Sequence, residues 1–305
     1  MKKSSLLFTV AAASFCLSCV FVTAQRKKYN NFSISTGPEK TITGCDQVSM
    51  KVDDREILRS ELGRVLPRSA ASSLQVRAAQ HGGIQIQGWD GDHYAIKACL
   101  GATGDSVVDS QRVLSQISLS VDGGEVKVTG PNEELWMAYV IIQAPNGTTL
   151  NLESRNAPIG ISTFSGTVEA RNQNGPVSLH EVGGRVRADV MNGPITVSGS
   201  KGDHRLNLQN GPLTVDLIGS RWENGELEGH TQNGPVTLKL PPGYQSPVRV
   251  DASKHSPIEC RAVQCKESVR TWDRPNRIDF GSSDPVIRLS TVNGPVTIKT
   301  SSDQD

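Results

Sequence analysis

The chain repeats itself at a fixed step of 18 residues, and that step limits the folds open to it. Asn156-Ala157-Pro158-Ile159-Gly160-Ile161 returns as Asn174-Gly175-Pro176-Val177-Ser178-Leu179. It returns again as Asn192-Gly193-Pro194-Ile195-Thr196-Val197 and as Asn210-Gly211-Pro212-Leu213-Thr214-Val215, with later copies at Asn233 and Asn293. A short fixed period marks a stacked-repeat architecture, in which each unit buries its apolar face against its neighbours.

With Asn as position 1, positions 4 and 6 are apolar in all four regular copies. Positions 13 and 15 repeat the pattern with Val168/Ala170, Val186/Ala188 and His204/Leu206, and Val190 and Leu208 follow at position 17. Alternation at steps of two is the period of a strand with one buried face. Each repeat therefore predicts two strands, at about positions 3–7 and 12–17, joined by Asn-Gly and by Ser165-Gly166, Gly183-Gly184 or Lys201-Gly202. Asn-Gly between apolar runs also suits a hairpin. Against hairpins, Pro at position 3 removes a ladder donor where a hairpin would close. Equal positions stacked about 4.8 Å apart explain the strict period better. The predicted fold class is all-β, a parallel β-solenoid of about seven coils with 18-residue repeats, preceded by β-hairpins at 84–98 and 117–129.

Stacking makes specific neighbours. Glu169–Arg187 and Arg185–Asp203 become coil-to-coil pairs. Asn156, Asn174, Asn192, Asn210, Asn233 and Asn293 form a corner column whose amides can bond one another. Turn chemistry already accounts for Asn-Gly, so the column is read as structural and not as a row of ligand-binding amides.

Residues 1–24 have the plan of a secretory signal: Lys2 and Lys3, an apolar stretch from Leu6 to Val22, and Val22-Thr23-Ala24 at the cleavage site. Cys19 follows Cys16 by three residues, where a lipoprotein signal wants Leu, which argues against lipid attachment. No other stretch approaches the length of a membrane span. The expected localisation is export to the periplasm, cell surface or exterior. Beyond the signal, Cys45, Cys99, Cys260 and Cys265 make an even count that favours two disulfides. Three connectivities exist, and local spacing favours Cys260–Cys265, leaving Cys45–Cys99. Metal-ligand spacing is lacking, and neither metal nor cofactor is expected.

Residues 25–75 read as a polar linker with an irregular piece tethered by Cys45. Residues 76–300 read as the β-solenoid domain, with N-terminal strands over 76–152, coils over 153–300 and an insertion at 261–286. Residues 301–305 are a tail, and the acidic end after Lys299 is expected to blunt the last exposed edge. A net charge of +1 gives no footprint for nucleic acid.

The repeated Asn-Gly-Pro-Val strands, Gly88-Trp89-Asp90 after an Ile-x-Ile strand, and Leu240-Pro241 after a repeat resemble a family of exported bacterial adhesin-like domains of unknown function, also described as toastrack-like β-solenoids. The resemblance spans about residues 76–300. It implies the fold and supplies no catalytic residues.

Some β-helix proteins act on polysaccharides, which requires acids and bases converging on one face. Glu169, Asp203 and Asp216 fall at different repeat positions, as do His180, His204, His230 and His255. No nucleophile-elbow, metalloprotease or phosphate-loop motif is present. No catalytic residues are expected. The function read from the chain is a non-catalytic envelope or surface protein with a structural, adhesion or binding role, its partner a cell-envelope polysaccharide or protein. The alternatives are a polysaccharide-active enzyme and an envelope-stress sensory domain. The largest loop offers Arg270, Trp272, Arg274 and Arg277 as binding residues, since Trp and Arg dominate binding hot spots. The rival reading has Trp272 and Phe280 fold back as a cap on the sheet.

Overall fold

The computed structural model describes residues 31–36, 42–53, 55–254, 256–266, 269–271, 274–281 and 283–301. Among them the chain is all-β apart from one nine-residue α-helix, Val107–Ser115, and short 3-10 turns. The secretory signal expected at 1–24 and all but Ser301 of the 301–305 tail lie outside the described residues.

Strands alternate between two open sheets around a common core. Those that follow an Asn-Gly-Pro corner join an 11-stranded front sheet, and those that lead into the next corner join a 12-stranded back sheet. Neighbours across the repeats run parallel, offset by one period. Leu150, Val168, Val186 and His204 lie side by side in the back sheet, and Ile159, Val177, Ile195 and Leu213 in the front. The pairing is parallel within the repeats, against the hairpin alternative. Positions 4, 6, 13 and 15 point inward: Val177, Val197, Val186 and Ala188 are all at most 1% exposed. Burying an aliphatic side chain of the larger kind contributes roughly 1.5–3 kcal/mol.

The corners explain the Asn-Gly-Pro signature. Pro lacks an N–H, but its carbonyl receives the position-4 N–H of the neighbouring repeat: Val177 donates to Pro194 and Ile195 to Pro212. Gly193 and Gly211 donate to the backbone carbonyls of Asn210 and Asn233. Gly211 has φ +154°, and a Cβ there would lie 2.1 Å from the Gly193 carbonyl oxygen. Only glycine fits such an approach without displacement. Each Asn side chain donates from Nδ2 to the preceding Oδ1, from Asn174→Asn156 through Asn293→Asn233, at 2.8–3.0 Å. The column is continuous.

Several expectations change. The Gly82–Trp89 and His93–Ala102 strands are not paired as a hairpin. Trp136–Pro145 lies between them, parallel to the first and antiparallel to the second. Its near-continuous apolar run suits that central place, buried on both faces. Ser118–Asp122 and Glu125–Thr129 do form the expected hairpin. Gly82–Trp89 is itself stacked on the repeats, Ile84 beside Ile159 and Ile86 beside Ile161. The repeat pattern thus starts earlier than the Asn-Gly signature.

Residues 25–75 are not simply a linker. Phe32–Thr36, Val48–Val52 and Arg55–Glu56 form a small antiparallel sheet, and Leu58–Pro67 is an edge strand of the front sheet. Val48, Met50 and Val52 alternate inward onto Cys99, Met137, Tyr139 and Ile141, and the Cys45–Cys99 disulfide fastens the two together. Cys260–Cys265 is the second disulfide. Both pairs follow the spacing argument.

The C-terminal repeat is not the last edge. Ile287–Asn293 lies between Leu227–Asn233 and Val248–Ala252, and Val296–Thr300 between Val236–Leu240 and Ile258–Cys260. The long 261–286 segment carries the chain back far enough for this insertion. Arg185–Asp203 pairs at 3.6 Å as expected. Glu169 and Arg187 are register neighbours, but each takes a partner on its own strand, Arg171 and Asp189.

Candidate functional site

Outward side chains of the back sheet line up from strand to strand because the register is fixed. Position 16 brings Arg77, Glu153, Arg171, Asp189, Asn207 and His230 into one row. Position 18, one pleat closer to the corners, carries Arg155, Gln173, Met191, Gln209 and Gln232, all exposed. A groove of about 1000 Å³ runs over both rows, with Ala78, Gln80, Lys127 and Glu133 also on its wall.

Its charges are mostly paired. Arg77 Nε lies 3.2 Å from Glu153, and Arg171 lies 3.2 Å from Glu169. Asp189 accepts from Arg187 and from Asn207, each at 2.8 Å. Burial alone would raise the Asp189 pKa, but these bonds, Arg187's charge and that of Arg171 hold it below the usual carboxylate range. His230 Nδ1 is 2.9 Å from Ser290 Oγ. The side chains of Arg155 and Lys127 make no ion pair or hydrogen bond with other described residues. The groove therefore offers side-chain amides that both donate and accept, the unpaired cations of Arg155 and Lys127, and the carboxylates of Glu153, ion-paired, and Asp189, held ionised. This set suits recognition of polar groups.

Of the binding residues expected on the insertion, only Arg277 has a described side chain. Trp272 lies outside the described residues. Arg270 and Arg274 belong to the antiparallel pair Val269–Thr271 and Arg274–Phe280, and their side chains lie outside the described residues too. Arg277 donates to Asp251 at 2.6 Å and extends the position-16 row beyond Ser290, away from the groove. Phe280 and Ile278 are buried in the core, as a sheet cap requires. Among the described residues no group of His, Cys, Asp or Glu is arranged to hold a metal ion, and no helix is long and apolar enough to cross a membrane.

The groove row escaped the reading of the sequence for a simple reason. Glu169, Asp203 and Asp216 stand at positions 14, 12 and 7, whereas Glu153 and Asp189 share position 16. Tabulating every outward position by the 18-residue period would have found it.

No family model matches the chain, and no curated protein matches it significantly. Among solved structures it is similar to a candidate cell adhesion protein from Clostridium sporogenes, at 14% identity and TM-score 0.33, over 80% of this chain and 100% of that one. It is similar to a candidate adhesin from Bacteroides fragilis at 11% identity and TM-score 0.42, over 81% and 100%. A third, a candidate adhesin from Parabacteroides distasonis, shares 8% identity at TM-score 0.28, over 81% and 98%. At these TM-scores the likenesses carry no argument about this chain's function.

Proposed function

We propose that the protein is a non-catalytic, exported component of a bacterial envelope or cell surface that holds an extended polysaccharide in the groove of the back sheet. In this reading the sheets are the faces of a parallel β-solenoid of about seven coils, with 18 residues as the basic repeat. The carrying observation is that the groove follows the stack, so amide and cationic groups recur at about the strand spacing of 4.8 Å. A polymer lying along the stack meets a polar side chain at most steps, Met191 being the exception at position 18, and its hydroxyls pair with the exposed amides of Gln173, Gln209 and Gln232. Two disulfides and a secretory-type N-terminal segment support export.

Retention on purified envelope polysaccharide tests the reading. Arg155→Ala combined with Gln173→Ala should weaken retention by roughly tenfold or more, the loss of one or two hydrogen bonds to a ligand. Arg205→Ala, outside the groove, should leave it unchanged. Equal retention by all three proteins would overturn the proposal. A second reading, hydrolysis of the bound polymer, draws on Glu153 and Asp189 flanking Arg171 in one row. Release of reducing ends that stops in Asp189→Asn would favour it.

A further inference from the structure

Asn-Gly is the dipeptide most prone to spontaneous loss of its side-chain amide, because glycine leaves the following backbone nitrogen unhindered. That nitrogen attacks the Asn side-chain carbonyl carbon, its proton passes to solvent base, and the amide leaves as ammonia. Water then opens the cyclic succinimide to aspartate or isoaspartate. The sum consumes one water and releases one ammonia.

The chain holds Asn-Gly at 146, 174, 192, 210, 224, 233 and 293. At 174, 192, 210 and 233 the reaction is opposed twice. The Gly N–H donates to the Asn backbone carbonyl of the neighbouring coil at 2.9–3.0 Å. The Asn side chain is held in the amide ladder. Asn146 is held comparably: its amide donates to Asp90, its Oδ1 accepts from Ser165, and the Gly147 N–H donates to the Ser165 carbonyl. Asn293 ends the ladder, and its Gly294 N–H makes only a long 3.4 Å bond to Ser256.

Asn224 differs from all six. It is exposed at φ +57°, and Gly225, also exposed, has φ +140°. Neither its amide nor the Gly225 N–H makes a hydrogen bond with another described residue. The turn is pinned only on either side of this pair. Glu223 bonds Ser200 and Gly202, and the Glu226 carbonyl accepts from His204 N–H.

The geometry points to Asn224-Gly225 as a site of spontaneous deamidation, with the corner asparagines protected by the fold although they share the same reactive dipeptide. The free pair can reach attack geometry without breaking a bond, whereas each ladder pair must first lose two. Conversion places a third carboxylate between Glu223 and Glu226, and isoaspartate adds a backbone carbon to the turn that holds Trp222 over His204.

The test is peptide mapping by mass spectrometry after incubating the folded protein at mildly alkaline pH. Asn224 should convert faster than Asn174, Asn192 and Asn210 by at least roughly an order of magnitude, with Asn293 second. In denaturant the seven sites should convert at comparable rates, which assigns the difference to the fold. Asn224→Gln should remove the early product. Ladder asparagines converting in the folded protein as fast as Asn224 would overturn the inference, and so would slow conversion at Asn224.

Discussion

His204 occupies a core position of the repeat where its neighbours are Val186 and Leu227. It is 1% exposed, and neither ring nitrogen makes a hydrogen bond of normal geometry. Trp222 meets it edge-on at 5.3 Å and donates its indole N–H to the Gly202 carbonyl. Burial lowers the His204 pKa from 6.5 to about 4, against weaker opposing effects of the Val182 backbone and Asp203. The sign follows from proton binding. Between pH 6.5 and 4 the unfolded chain takes up the proton and the folded chain does not, so stability falls as pH drops through that window. The full effect is about 3 kcal/mol. His204→Leu removes it. The melting temperature of the leucine variant, measured against wild type from pH 7 to 4, should gain steadily below 6.5 and level off near 4. A constant difference across that range would show that His204 is not buried as a neutral ring.

At the scale of the element, the corner is the part of the fold most legible in the sequence. Asn, Gly and Pro each have a separate task there: amide ladder, close backbone approach, and a carbonyl for the next repeat. The tasks differ in energy. Asn192→Leu breaks two exposed amide bonds and should cost about 1–3 kcal/mol. Gly211→Ala drives a Cβ into a backbone carbonyl at a φ that disfavours side chains, and should cost about 3 kcal/mol or more. Arg187→Ala, on the outer face, should shift the melt least of the three. Thermal or urea melts that place Asn192→Leu above Gly211→Ala would shift the weight from backbone approach to the ladder. Other elements were hidden by their composition. Val107 and Val108 are β-branched and disfavour a helix, yet Ser106 accepts from the Asp109 N–H and starts one. Leu58–Pro67 exposes most residues on both faces, so no alternation marks it as an edge strand. The groove row is carried by outward polar residues, which no hydrophobic period reports.

For the whole molecule, sequence order and spatial order part at the C-terminus. Local alternation specifies which face of a strand is buried, but not which neighbour it takes once a connection is long. The 261–286 segment is such a connection. It forms the antiparallel pair that closes the back sheet, with Arg249–Asp279 at 2.7 Å and Arg277–Asp251 at 2.6 Å along its join. The chain then re-enters beside Leu227–Asn233, and Asn293 extends the amide ladder from Asn233 across a gap of 60 residues in sequence. Both final strands are interior, so they hold the Val248–Ala252 and Ile258–Cys260 strands in place. Two truncations test this arrangement. A chain ending at Ser301 keeps the bonds of that residue to Leu240 and Asp216, loses only the tail, and should melt like the full-length protein. A chain ending at Pro285 loses an interior strand from each sheet, leaving residues 241–285 without their parallel neighbours. Limited proteolysis should then cut throughout that region while the repeats before Asn210 stay resistant. If residues 241–285 resist protease as well as they do in the full-length protein, the last repeat does not bridge the sheets, and the tail regains the edge position that sequence order alone would assign it.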